Sequence, residues 1–433
     1  MLLVFCGALL LAASVLAIKQ IITNRLALLR FKKLSNGLPL CPEARLFGNH
    51  ISTVMMGENN CEKLQLWHKQ LGKTIGWLKG SQFCVSTVDL DLIKMFIHDE
   101  SDIHIDRLNT GMPFEEVAKS ILQATKDEWR KFRRTIGPAL ASTKFKDHNV
   151  HEDVERSISK LIDLIDKQIA ANKRDPDYKF VMDDIMNKFA VDLIFRSFYR
   201  QEGLVDFDNP NDPWTRDLEL TFEEPQTSLV VRISIIFPTL VGLIDSLIMN
   251  FTTHGVRRRK IIGFVRSQAN LNLKARKQLE QMKADAKLTG AKFDENNFIM
   301  DDGTRFRRSI IDHVIDKYIE GKLTKDQYTN NAVVMLTAGE KTLMDSLVHT
   351  IYLLSINQQV QTQLRESIMA EGKDSELLDW VIKESLRLLP PAPIGCSRNI
   401  ERDIEIDGGY VLPAGTSVVT CAYVIHRLKE YWG

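Results

Sequence analysis

Several catalytic signatures are missing from this 433-residue chain. There is no Gly-x-Ser-x-Gly, so it lacks the strained serine turn of the hydrolases. There is no His-Glu-x-x-His for a zinc protease and no Gly-x-Gly-x-x-Gly for a dinucleotide. Gly72-Lys73-Thr74 copies the end of a phosphate-binding loop, but Trp67 stands where its first glycine belongs. Net charge is almost nil: 57 basic residues against 56 acidic ones leave +1, which argues against a nucleic-acid partner. Six cysteines show no Cys-x-x-Cys pair and no regular spacing. They read as reduced thiols in a cytosol-facing protein and not as a disulfide framework. No internal repeat is present. The one local charge run, Arg257-Arg258-Arg259-Lys260, reads as a solvated helix face.

What is present is ample core material, 44% hydrophobic against 26% charged. Leu2–Ile18 is an uncharged run at the short end of a membrane span. Lys19, Arg25, Arg30, Lys32 and Lys33 follow it, and no acidic residue precedes Glu43. The excess of positive charge predicts a retained anchor at 1–18, with everything after it on the cytosolic side. A cleaved signal peptide is the rival reading, although the first ten residues carry no Lys or Arg. Gly37, Pro39 and Pro42 predict a stiff non-helical hinge within a basic segment, 19–49, ahead of the body at 50–433.

The body is organised around Leu323–Leu354, which predicts one long helix. Thr324 and Gln327 form a capping box at its start. About thirty residues at 1.5 Å rise span roughly 45 Å, enough to cross a domain. Apolar residues lie on most of its sides, so it is central. Its middle, Thr337-Ala338-Gly339-Glu340-Lys341-Thr342, is weak helix: an interior Gly costs about 1 kcal/mol against Ala. Two readings stand there: close helix–helix contact with Thr342 bonded to its own backbone, or the approach of something flat.

Elsewhere the pattern is helical. Within Ser120–Lys146, Thr125 and Glu128 predict a second capping box, and Gly137-Pro138 a stop. Trp129 and Arg133 share one face at i,i+4. They suit an anionic group beside a flat apolar body, both being donors; the plainer reading is a core Trp with solvent-facing arginines. Asp183–Phe198 and Ile310–Ile319 read as amphipathic helices. Ser228–Phe251 is apolar but broken by Arg232, Pro238 and Asp245, fit to lie on a membrane surface or line a pocket. Gln268–Thr304 predicts a long exposed helix and a loop. Ser375–Leu389 predicts a helix carrying Glu384 and Arg387 at i,i+3, ended by Pro390-Pro391. Strand signals lie at Ile75–Val88, in a hairpin about Asp407-Gly408, and at Thr416–Ala422. The fold class is mainly α with a small β region.

Taken together, these stretches resemble the cytochromes P450, from the anchor to the last residue. Trp129-x-x-x-Arg133 with Gly137-Pro138-Ala139 looks like that family's C-helix. Ala338-Gly339-x-x-Thr342 looks like its oxygen-activating I-helix. Glu384-x-x-Arg387 looks like its K-helix pair, Pro390-Pro391 through Arg398 like the segment after it, and His426-Arg427 with Tyr431-Trp432 like the run-in to its closing region. Asp206–Trp214 further resembles the animal microsomal branch that oxidises drugs and lipids.

The resemblance implies a haem-thiolate monooxygenase with haem b, inserting one oxygen atom of O2 into an apolar small molecule (a xenobiotic, steroid or fatty acid). An NADPH-dependent reductase would supply electrons, docking on a basic face that includes Arg130, Lys131 and Arg134. The setting would be the endoplasmic reticulum membrane. Trp129, Arg133 and Arg398 would hold the haem propionates. Ala338 and Gly339 would let the helix pass close over the haem, and Thr342 would bond the iron-bound oxygen and help deliver protons. Glu384 and Arg387 would be structural. The substrate pocket would be bordered by Met112–Val117, Ser228–Phe251 and the long helix.

Two departures stand out. Lys341 occupies the place where the family usually has an acid, and Glu340, one residue earlier, is turned by about 100°. The family's thiolate cysteine lies in a Phe-x-x-Gly-…-Cys-x-Gly loop with no counterpart here, so no metal ligand is assigned. The third partner of the Glu384–Arg387 pair is expected in that same loop. The alternative expectation is a truncated, non-catalytic P450-derived membrane protein unable to ligate haem iron.

Overall fold

The computed structural model describes residues 2–41, 60–79, 82–99, 103–104, 106, 114–140, 150–173, 175, 179, 181–227, 233, 237, 240–290 and 309–433. Within these, the side chains of 2–13, 60, 78–79, 139, 222–227 and 396 are outside the description. The elements in chain order begin with α1 (Leu2–Leu34), α2 (Asn60–Leu71), β1 (Thr74–Lys79), β2 (Gln82–Thr87) and α3 (Leu90–Lys94). Next come α4 (Glu115–Ala118), α5 (Lys126–Ile136), α6 (Val150–Ala171), α7 (Met182–Tyr199) and α8 (Pro213–Thr227). Then follow α9 (Val241–Phe251), α10 (Thr253–Thr289), α11 (Ile310–Ile319), α12 (Lys325–Ile356), α13 (Gln358–Glu371) and α14 (Glu376–Leu388). The chain closes with β3 (Ile394–Asn399), β4 (Ile404–Ile406), β5 (Tyr410–Leu412), β6 (Ser417–Cys421), α15 (Ala422–Ile425) and α16 (Lys429–Trp432). The architecture is mainly helical with a small sheet region, as expected.

The long helix is α12. Both bonds of its capping box are made: Gln327 N–H donates to Thr324 Oγ1 at 3.2 Å, and Thr324 N–H to Gln327 Oε1 at 3.1 Å. Its N-terminal half is buried on most sides and shares a core with α5, α7, α10 and α11. Two buried phenols lock that core. Tyr199 of α7 donates to the Ala332 carbonyl at 2.8 Å, and Tyr328 of α12 donates to the Val265 carbonyl at 3.0 Å. Both hydroxyls reach a backbone acceptor, the condition for burying a tyrosine without an orphaned polar atom.

The strands form a four-stranded sheet in the order β1-β2-β6-β3 and a separate β4-β5 hairpin. β6 runs parallel to β2 and antiparallel to β3, which brings Cys84 opposite Ser417 and Arg398 opposite Val418. The expected hairpin is β4-β5, turned by Gly408 and Gly409 at positive φ. The expected third strand joins the larger sheet instead of the hairpin.

α1 is a single helix running through the expected anchor and most of the basic segment. It ends at Leu34, before Asn36 and Gly37 turn with φ of 55° and 82°. Among the described residues, no helix is long and apolar enough to cross a membrane. The side chains of most of the run 2–18 are outside that description. The far end of α1 belongs to the body: Phe31 is fully buried and stacks on Phe83 at 4.6 Å. The non-helical stretch after it sits against β1, with Gly76 N–H donating to the Pro39 carbonyl at 2.8 Å. Gly76 is required there, since a Cβ would come within 2.8 Å of Phe31 Cε1.

Three local expectations are corrected. α5 starts after Thr125, but the Thr125 side chain makes no cap bond, and Gln327 Nε2 instead contacts Glu128 at 3.5 Å. α7 is buried nearly all round and not amphipathic. Its polar residues are paired internally: Arg196 Nε donates to Asp192 at 2.7 Å, and Lys188 donates to the Phe207 and Asn209 carbonyls at 2.8 Å. The basic run on α10 is not a solvated face. Arg258 is buried, and Lys260 pairs with Asp217 at 2.6 Å beneath the Trp214 ring.

Candidate functional site

The centre of α12 turns different residues to different neighbours. Ala338, Lys341, Thr342 and Asp345 fall at i, i+3, i+4 and i+7, one face of the helix. Thr342 is exposed on it, its hydroxyl donating to the Ala338 carbonyl at 2.8 Å. Lys341 and Asp345 form an ion pair on the same face at 3.3 Å. Gly339 points elsewhere: a Cβ on it would stand 3.1 Å from Ile194 Cδ1 of α7. Glu340 is 1% exposed on the buried side. The shift from Lys341 to Glu340 therefore separates an open face from the core, and Glu340 does not reach Thr342.

On α5, Trp129 is half-buried against the main core, while the exposed Arg133 side chain makes no hydrogen bond or ion pair among the described residues. Arg398 lies on β3. Its Nη1 donates to the Ser397 carbonyl at 2.9 Å, and its Nε is buried with no hydrogen-bond partner among the described residues. No hydrogen bond or ion pair links Trp129 or Arg133 to Arg398 within the described residues. An orphaned guanidinium N–H inside a protein costs about 1–3 kcal/mol or more, so it fits a site that receives an acceptor.

Glu384 and Arg387 make a two-pronged pair, with Nε to Oε2 at 2.7 Å and Nη2 to Oε1 at 2.6 Å. The hydrogen bonds from Arg387 hold the Glu384 carboxyl below its ordinary range. Arg387 has further contacts within the described residues: its Nη1 donates to the His426 carbonyl at 2.6 Å, and the guanidinium lies 5.0 Å from the Trp432 ring. His426 and Arg427 return bonds to the backbone of Arg387 and Leu388. These bonds tie α14 to the segment 423–432.

Sequence reasoning missed a second charged cluster. Arg258 of α10 donates to Glu116 of α4 at 2.5 Å and to Asp245 of α9 at 2.7 Å. Its guanidinium stacks 4.8 Å from Phe114. These elements belong to the expected border of the substrate pocket, of which 112–113 and most of 228–239 are outside the described residues. The available signal was the interruption of an apolar stretch by Asp245, since a charge in such a stretch needs a partner. At the surface of α5, a groove of about 560 Å³ is lined by Asp127, Arg130, Lys131, Arg134, Thr135 and Lys322.

The family model for cytochrome P450 matches residues 39–433. The chain belongs to the cytochrome P450 family. It is similar to cytochrome P450 3A29 of Sus scrofa, 25% identical over 422 residues that cover 93% of this chain and 75% of that relative. It is 25% identical to cytochrome P450 3A5 of Homo sapiens over 84% of this chain and 68% of that relative. Cytochrome P450 3A9 of Rattus norvegicus is 22% identical, with the same coverage. Family membership makes this P450 an oxidoreductase of the monooxygenase class, with haem b as cofactor and electrons reaching it through an NADPH-dependent reductase.

The residues fit that group in part. The buried Nε of Arg398 and the open Ala338–Thr342 face are suited to an anionic edge and a flat apolar body. The thiolate ligand is not found among the described cysteines. Cys41, Cys84 and Cys421 are buried in a cluster around the sheet that contains no α12 residue, and Cys61 stands on α2.

Proposed function

We propose that this P450 is a haem-thiolate monooxygenase acting on an apolar small molecule of the xenobiotic, steroid or fatty-acid class. The observation that carries the reading is the divided centre of α12, where Thr342 and Ala338 form an open face while Gly339 and Glu340 turn towards the core. Trp129, Arg133 and Arg398 are the donors proposed for the haem propionates; Arg398 has an unspent buried N–H and Arg133 no ionic partner among the described residues. Thr342 is proposed to hold and pass a proton at its Oγ1. Bound haem would supply the oxygen chemistry itself.

The reductase is proposed to dock at the α5 groove, where Arg130, Lys131, Arg134 and Lys322 outnumber Asp127. Placement at the endoplasmic reticulum membrane, with 1–18 as anchor and the body, which takes in the far end of α1, facing the cytosol, rests on the uncharged run 2–18 and the basic residues after it. α9 adds an exposed apolar row, Leu243, Leu247 and Phe251, suited to a membrane surface.

A second reading, a P450-derived protein that does not ligate iron, is favoured by the position of the described cysteines away from α12. The absorption spectrum of the haem-loaded chain, reduced and bound to carbon monoxide, separates the two. A thiolate-type band supports the monooxygenase; haem without that band, or no retained haem, overturns it in favour of the second reading.

A further inference from the structure

The groove at the surface of α5 and the start of α12 meet at one side chain. Gln327, in the first turn of α12, closes the capping box, its Oε1 accepting from the Thr324 N–H at 3.1 Å. The same oxygen accepts from Lys131 Nζ of α5 at 3.0 Å, 196 residues away in the chain. Glu128, three residues before Lys131 and on the same face of α5, stands 3.5 Å from Gln327 Nε2. The Gln327 carbonyl accepts from Asn331 Nδ2 at 2.7 Å. Buried Asn331 in turn accepts at Oδ1 from the Ile121 N–H at 2.9 Å, in the segment that leads into α5. One glutamine therefore joins the cap of α12 to a wall of the groove.

Lys131 differs from two other cations that line the groove. Arg130 faces Asp127 at 3.9 Å and Lys322 pairs with Glu320 at 2.7 Å, so each already meets a carboxylate. Lys131 is held by a neutral amide oxygen. A carboxylate is the stronger acceptor for an ammonium group, so an acidic surface entering the groove takes Lys131 away from Gln327. With Arg130, Lys131, Arg134 and Lys322 against Asp127, the groove is complementary to such a surface.

We propose that Lys131 is a relay between partner and core helix: an acidic protein surface docking in the α5 groove draws the Lys131 ammonium off Gln327, and the loss of that donor loosens the cap of α12. The relay rests on the reading of this groove as the docking site of the reductase. The coupling runs both ways, so whatever keeps Lys131 on Gln327 weakens docking. Gln327 thereby sets the affinity of a groove that it does not line.

The test measures binding of the NADPH-dependent reductase to the full chain at low ionic strength, with Lys131→Met, Arg134→Met, Gln327→Met and the Lys131→Met/Gln327→Met pair. Lys131→Met and Arg134→Met should each weaken binding, because each removes groove charge. Gln327→Met removes the acceptor and adds no charge; it should tighten binding about threefold, the worth of one exposed hydrogen bond. In the Lys131→Met chain the same change should do nothing. In the unaltered chain, amide hydrogen exchange at 324–331 should quicken when the reductase binds. Gln327→Met without tightening, tightening that persists without Lys131, or exchange at 324–331 that docking leaves unchanged overturns the relay and leaves the docking site standing. Binding indifferent to both Lys131→Met and Arg134→Met overturns the docking site, and the relay with it. The exchange measurement on the unaltered chain suffices if Gln327→Met does not fold.

Discussion

Arg258 of α10 sits between two carboxylates, 2.5 Å from Glu116 and 2.7 Å from Asp245, with its side chain only 5% exposed. One guanidinium therefore joins three helices at the expected edge of the substrate pocket. Burial pushes the Asp245 carboxyl upward and the Arg258 contact pulls it back, so the cluster depends on its cation.

Removing that cation should be costly. Arg258→Met leaves buried Glu116 and half-buried Asp245 without their cation, and breaking a buried pair in this way costs about 3–5 kcal/mol. Urea unfolding of Arg258→Met, with and without Glu116→Gln, measures it. The second change should restore part of the loss; a single-variant loss under about 1 kcal/mol would show the cluster to be solvated.

The Arg387 anchor predicts a pH dependence. Glu384 ionises below its unfolded value because Arg387 bonds its carboxylate. Its folded pKa being the lower, the stabilisation is complete above the unfolded carboxylate value and fades as pH falls through the folded one. Glu384→Gln should flatten the acid limb of stability against pH below about 4.5, near the unfolded carboxylate value. Arg387→Ala should be more damaging than Glu384→Ala, because it also frees the His426 carbonyl and the Trp432 ring.

Arg398 separates cofactor holding from structure. Arg398→Met removes a buried N–H without a partner, and the haem-free chain should gain stability or stay within about 1 kcal/mol. Haem retention, followed by transfer to apomyoglobin, should fall at least tenfold. Marked loss of stability in the haem-free chain would make Arg398 a structural residue instead.

Thr342 gives the complementary case. Its hydroxyl bonds back within α12 and faces outward, a contact that adds little to helix stability. Thr342→Val should shift the thermal midpoint by no more than the equivalent of about 0.5 kcal/mol. Turnover of the haem-loaded protein should drop at least tenfold. A stability loss above 2 kcal/mol with unchanged turnover would contradict the role proposed for it.

The sequence alone determined the helices whose signals are local. The Thr324–Gln327 box set the start of α12, and the Asp407-Gly408 turn set the hairpin, because caps and turns are made by residues a few positions apart. The motifs of the family were legible for the same reason: each occupies one or two turns of one element. Long-range pairing was not legible. Nothing local told Thr125 that its cap bond would go unmade, or told Arg258 that Glu116 lay 142 residues away. The polar residues of α7 read as a solvated stripe and turned out to be paired inside the protein. Periodicity reports which side chains share a face. Only the packing of that face against other elements decides whether a charge meets water, a partner or an apolar wall, and hence that Gly339 faces Ile194 while Thr342 stays open.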